Sequence, residues 1–254
     1  MNYKEIYKRL IYYVAVPKCA CCREILDYED RALCRACAEE YNNVKLGNCS
    51  VCSRTYDECT CSNEYLEKHM VKRLVKVFRY KRSLFEVEKV PPNELLYVIK
   101  REKRRDIIDL LSDELVRSIK ANIKYTDFIV TNVPRKRSRA VKYGLDHSKE
   151  LAKAVAKKLG LDYVESLRSN LDVAQKKTHG AERMKNAKFD YRKRTPDLKG
   201  KRVFLVDDIV TTGASMGNCA MLLRGLGAKE VVGVCVSVAF KDKYTPFAPQ
   251  YHAR

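Results

Sequence analysis

A chain of 254 residues that is 46% hydrophobic and 33% charged can bury a real core, which excludes a chain disordered by composition. Its 51 Lys+Arg outnumber 32 Asp+Glu for a formal net charge of +19, a balance that suits polyanionic partners: nucleic acid or phosphorylated small molecules. No apolar run approaches the roughly 20 residues that span a bilayer, so no transmembrane segment is expected.

The first stretch, MNYKEIYKRLIYYVAVPKC, sets Ile6, Leu10, Ile11 and Val14 at helical spacing, which predicts a short amphipathic helix packed on its own domain. It lacks the continuous apolar segment and small-residue cleavage site of a secretory signal, and a cytoplasmic location is expected. Nine of the eleven cysteines then fall between Cys19 and Cys61. They form three C-x2-C pairs (Cys19 and Cys22, Cys34 and Cys37, Cys49 and Cys52) and one C-x-C pair (Cys59 and Cys61), with Cys21 left over. Two thiolates on one tight turn make half of a tetrahedral zinc site, and a second turn completes it. Four pairs predict two zinc ions in a double zinc ribbon over residues 1–63. The pairing order stays open, because consecutive pairs can share a metal or alternate pairs can cross-brace. Four-thiolate sites have no open coordination position, so this zinc is structural.

Residues 64–105 are charged, helical in pattern and broken by Pro91-Pro92, and read as a helical connector. Asn93 is placed to cap a helix running through Leu96, Val98, Ile99 and Ile108. The basic run Arg101 to Arg105 reads as a solvated face. From residue 106 to 254 helix and strand alternate. Helical spacing covers Ile107 to Ile119, His147 to Leu159 with Gly160 as its stop, and Ser215 to Leu226 with Gly227 as its stop. Apolar strands are expected at Asp127 to Thr131, Val203 to Asp207 and Val231 to Val238. That alternation predicts an α/β domain built on a parallel sheet, following the cysteine-rich zinc ribbon module. Ligands of such sheets bind beyond the carboxyl ends of the strands.

Two loops at that edge carry suitable chemistry. Asp207-Asp208 ends one strand, and Thr211-Thr212-Gly213-Ala214-Ser215 joins it to a helix. The loop offers successive backbone N–H groups, hydroxyls and a helix N-terminus, all favourable to an anion. Two carboxylates beside a phosphate site suit sugar hydroxyls or a magnesium ion. After the preceding strand comes VPRKRSR, whose Arg135 and Lys136 suit a second phosphate group. Between Arg135 and Arg202 there are 21 Lys+Arg against 8 Asp+Glu, so the excess positive charge lies on the same domain.

The 13 residues VFLVDDIVTTGAS resemble the phosphoribosyl pyrophosphate (PRPP) motif of type I phosphoribosyltransferases along their whole length. With the cysteine-rich N-terminus, and LRSNLDVAQKKTHGAERMKNAKFDY keeping Arg168, Gln175, Glu182-Arg183, Asn186 and Phe189 in order, the chain is similar to the ComF family, which is associated with natural competence. The resemblance implies a PRPP-binding, phosphoribosyltransferase-like protein acting in DNA uptake, with magnesium accompanying PRPP. It implies that Asp207 and Asp208 contact the ribose hydroxyls and are the catalytic pair, and that residues 211 to 215 hold the 5′-phosphate. Arg135 and Lys136 would face pyrophosphate. The segment 168 to 189 would form a mobile loop, bringing Arg168, Gln175, Lys176, Lys177 and Arg183 near the ligand. No general base is evident; His147 and His179 read more simply as helix-cap or surface residues. Three readings of the function stay open: an active transferase on an undetermined acceptor, a single-stranded DNA-binding protein, and an adaptor docking on a DNA-uptake helicase.

Overall fold

The computed structural model describes residues 12, 16–45, 47–80, 91–102, 104–135, 146–169, 189–193 and 195–239. The expected N-terminal helix lies outside them, apart from Tyr12. The N-terminal region carries helix α1 (Arg35–Lys45), a single 3-10 turn at Tyr56–Glu58 and a short helix α2 (Glu64–Lys68). Then follow β1 (Leu74–Arg79), α3 (Pro91–Arg101), α4 (Arg105–Asn122), β2 (Phe128–Asn132), α5 (His147–Leu159), β3 (Leu167–Ser169) and β4 (Phe189–Tyr191). The last elements are β5 (Arg202–Val210), α6 (Ala214–Gly225) and β6 (Glu230–Val238).

Strands β1, β6, β5 and β2 lie side by side in that order, every neighbouring pair parallel. Alternate side chains serve opposite faces, as the strand period requires. Val75, Val77, Phe204, Val206, Val232 and Val234 pack with α3, α4 and α5, while Leu74, Leu205, Val231 and Cys235 pack with α2 and α6. Burial on both faces explains why β5 and β6 read as apolar runs. Helix α5 has the predicted bounds, because its ends are chemically marked. The Asp146 side chain accepts from the Lys149 N–H, and Gly160 closes the helix at φ +68°.

Three expectations need correction. Residues 64–105 are not a helical connector, since Leu74–Arg79 is a strand of the main sheet, paired with β6. Lys76 disguised it: the residue is only 2% exposed, its ammonium held by carbonyl oxygens and a cysteine sulfur. Nor does Asn93 cap a helix. α3 begins at Pro91, where a missing N–H costs no helical bond, and Asn93 is its third residue. Finally, α3 does not run on through Ile108. Arg104 is extended (φ −85°, ψ 106°), and Ile108 belongs to α4. Around this break Arg101 stacks over Tyr97, and Arg104 donates to the Lys18 carbonyl.

The cysteine-rich region shares the domain's core. Cys19, Leu26, Leu33, Cys37 and Tyr41 are buried together with Phe78, Leu95 and Ile99, and Tyr41 meets Phe78 edge to face at 6.0 Å. One turn on from Tyr41, Lys45 of α1 pairs with the buried Glu114 of α4 at 2.8 Å. Among the described residues no helix is long and apolar enough to cross a membrane.

Candidate functional site

The parallel register fixes the site. Asn132 of β2 lies beside Val206 of β5, and the Val133 N–H donates to the Val206 carbonyl, so Arg135 emerges next to Asp207 and Asp208. The two carboxylates have different surroundings. Asp208 is 3% exposed and ion-paired with Arg135, and Lys100 of α3 lies 3.5 Å from the same oxygen. Its other oxygen accepts from the Ile209 N–H at 2.9 Å. Burial opposes ionisation of Asp208, but Arg135 and then Lys100 outweigh it and hold the carboxyl at about 2. Asp207 accepts from the Ser148 hydroxyl at 2.8 Å and the Asp208 N–H at 2.9 Å. Burial, followed by the neighbouring Asp208 charge, pushes its carboxyl well above the ordinary range. One aspartate is thus locked as an anion, and the other is reluctant to ionise.

Beyond β5 the backbone turns through Thr211, Thr212 and Gly213 into α6. Gly213 sits at φ +87°, a conformation costly for any residue with a Cβ. Thr211, Thr212 and Ser215 are exposed at the sheet's carboxyl edge, and the Thr212 hydroxyl accepts from the Ala214 N–H at 3.3 Å. The exposed hydroxyls and the helix-start amides of this loop suit an anion.

Arg135, Asp207, Asp208 and the loop 211 to 215 are brought together; Lys136 lies outside the described residues. Of the segment expected to cover the site, Gln175, Lys176, Lys177 and Arg183 also lie outside them. Its two ends, β3 and β4, pair antiparallel, and Arg168 is ion-paired with Asp190 across that stem at 2.6 Å. His179 is outside the described residues.

His147 is not a surface residue. It is 1% exposed at the start of α5. Burial, and next the Arg135 charge, push its imidazole down to about 4, with the Asp208 charge opposing. The unfolded chain takes up this proton near 6.5 and the folded chain only near 4, so the stability present above 6.5 is lost as pH falls between them. The loss at pH 5 is about 2 kcal/mol. His147→Gln is expected to flatten the difference between urea midpoints at pH 7 and pH 5; an unchanged difference would assign it to other groups.

Lys100 is the site residue that sequence reasoning missed. It sits in the run KREKRR, where nothing in the pattern separates the lysine that reaches Asp208 from the other cations.

The cysteines form two clusters. Cys19, Cys22, Cys34 and Cys37 make one, and Cys49, Cys52, Cys59 and Cys61 the other, with the sulfurs of each within 4.8 Å of one another. Consecutive pairs therefore share a site. The Cys22 and Cys34 sulfurs are 3.7 Å apart, close to the roughly 3.8 Å edge of a tetrahedron with 2.3 Å zinc–sulfur bonds. Backbone N–H groups of Cys21 and Cys34 donate to the Cys19 sulfur at 3.4 Å, and that of Cys61 to the Cys59 sulfur at 3.3 Å. Both clusters fit a structural zinc ion. At the second, Lys76 donates to the Cys59 sulfur at 3.1 Å and the Cys61 carbonyl at 2.8 Å.

Residues 145–251 match the phosphoribosyl transferase domain family. The competence protein ComFC of Streptococcus pneumoniae is 24% identical over 212 residues, covering 82% of this chain and 88% of that protein. The chain thus carries a phosphoribosyl transferase-like domain in its C-terminal part and is similar to ComFC over most of its length. The ribose-phosphate pyrophosphokinase of Thermococcus kodakarensis is 37% identical over 82 residues, 32% of this chain. The chain spans about a quarter of the length of such pyrophosphokinases. Among solved structures, glutamine PRPP amidotransferase from B. subtilis aligns with 57% of this chain and 30% of its own, at 21% identity and a TM-score of 0.41. Lys100, Arg135 and both cysteine clusters precede the matched domain, so the site draws on residues outside it.

Proposed function

We propose that this protein binds magnesium-PRPP at the carboxyl edge of its sheet and acts in DNA uptake in the cytoplasm. The observation that carries the first part is the grouping of Asp207 and Asp208 with the loop 211 to 215 and two cations, Arg135 and Lys100, at one edge of the sheet. The carboxylates hold the ribose hydroxyls, the amides and hydroxyls of 211 to 215 hold the 5′-phosphate, and Arg135 and Lys100 turn from Asp208 to the pyrophosphate. Magnesium arrives bound to PRPP and belongs to the substrate. Breaking the bond from ribose C1 to pyrophosphate leaves positive charge on the sugar and negative charge on the departing group. Asp207 and Asp208 stabilise the first, Arg135 and Lys100 the second. The competence role follows the likeness to ComFC. The test is calorimetric titration of magnesium-PRPP into wild type and Asp207→Asn/Asp208→Asn. Saturable binding lost in the double variant is expected; absence of wild-type binding would retire the reading.

Charge favours a second activity on the same domain, the binding of single-stranded DNA. If six to ten of its cations met phosphates, affinity would fall about 10³- to 10⁵-fold between 50 and 200 mM salt. A flat salt dependence would leave PRPP as the ligand without DNA.

A further inference from the structure

The second cysteine cluster and the anion loop are joined by a very short path. Two residues after Cys61, the Asn63 side-chain amide donates to the Thr212 carbonyl at 3.2 Å. Its oxygen accepts from the Leu66 N–H at 2.9 Å and so caps α2. That helix lies directly on the loop. A Cβ on Gly213 would sit 2.7 Å from the Leu66 Cγ, and one on Gly217 would sit 3.1 Å from both the His69 ring and the Tyr65 ring. Leu66 is wholly buried there, in the cluster that includes Met216 and Cys219 of α6. The cluster end of the path is held as firmly. The Leu74 N–H donates to the Thr60 carbonyl, Cys61 bridges to Arg73, and Lys76 ties Cys59 and Cys61 to β1. A glycine in a left-handed conformation has many alternatives open to it when unsupported. Here the Leu66 side chain and the Asn63 amide bear directly on the loop.

We propose that the second cysteine cluster anchors the anion loop, with Asn63 and Leu66 as positioning residues that set the backbone N–H groups of 211 to 215 for a sugar 5′-phosphate. The N-terminal module then does more than stabilise the chain, because it completes a ligand site whose matched domain begins at residue 145. Asn63 belongs to neither cysteine cluster nor to the loop itself, and it acts through Thr212. This inference rests on the reading of the loop as a phosphate site, and it adds that the cysteine module sets the loop's affinity.

The test uses the full zinc-loaded chain and three probes: ribose 5-phosphate, magnesium-PRPP and magnesium-pyrophosphate. Asn63→Ala removes the bond to Thr212 and the α2 cap while leaving all eight cysteines in place. Ribose 5-phosphate and PRPP are expected to bind about five- to tenfold more weakly, the scale of one lost hydrogen bond. Pyrophosphate, held by Arg135 and Lys100, should change less than twofold, and zinc content should stay at wild-type level. Leu66→Ala, which opens space beneath Gly213, should show the same selectivity with a larger loss. Wild-type affinity for ribose 5-phosphate in Asn63→Ala would overturn the proposal, as would equal weakening of all three probes, which reports general damage to the fold. If the wild type itself bound neither ribose 5-phosphate nor PRPP, the phosphate site would be refuted, a failure distinct from an unaffected variant.

Discussion

Asp208→Asn is expected to destabilise the fold, whereas Asp207→Asn leaves stability unchanged or raises it, although both abolish ligand binding. Asp208 has a carboxyl held at about 2 by Arg135 and Lys100 against the cost of burial. A depressed carboxyl contributes stability that is present above its unfolded value near 4 and is lost as pH falls through about 2. At neutral pH that contribution is about 2 kcal/mol, and removing the anion also leaves the half-buried Arg135 without its closest partner. Breaking such a pair from one side costs roughly 3–5 kcal/mol. Asp207 has the opposite sign. Its carboxyl is raised, so ionising it at neutral pH works against the fold. An asparagine keeps an oxygen for the Ser148 hydroxyl and the Asp208 N–H without that charge. Urea unfolding at pH 7, read beside PRPP titration, checks both halves. Equal destabilisation by the two substitutions would mean that the aspartates share their cations, contrary to the geometry.

That difference could not be read from the sequence, where Asp207 and Asp208 are chemically identical neighbours. The sequence did disclose what repeats or is chemically marked: the period of α5 with its glycine stop, the apolar runs of β5 and β6, and the thiolate pairs. It misled where a polar residue is satisfied by partners distant in sequence. Lys76 made a core strand look like a charged connector, because its acceptors at Cys59 and Cys61 lie 17 and 15 residues earlier. Lys100 looked like one more solvated cation, because Asp208 is more than 100 residues away. The support of Gly213 by Leu66 is likewise a contact between elements, and local pattern carries no trace of it. The loop's composition suggested an anion, and only the packing shows what holds it in shape.

The same shared packing makes the chain depend on its metals as a unit. Structural zinc sites contribute on the order of 10 kcal/mol each at neutral pH, about the whole stability of an ordinary domain. Cys19 and Cys37 of the first cluster are buried in one core with α3, α4 and β1, and the second cluster is tied to β1 and to α6 through α2. Chelation is therefore expected to lower the melting temperature in one cooperative transition that includes the sheet. Two transitions, the second matching the zinc-loaded protein, would mean that the ribbons unfold alone. The clusters should also differ from each other. Four thiolates on a divalent zinc leave a net charge of about −2, which the second cluster partly offsets with the ammonium of Lys76 at 3.1 Å from Cys59. Lys76→Met keeps the buried chain length and removes the charge and its hydrogen bonds. It should lower zinc affinity at that cluster by about 10- to 100-fold, the usual effect of losing an outer partner of a metal ligand. The first cluster should be unaffected, so competition with a chromogenic chelator should release one zinc early and the other at the wild-type concentration. Uniform release would show that Lys76 stabilises the strand without tuning the metal.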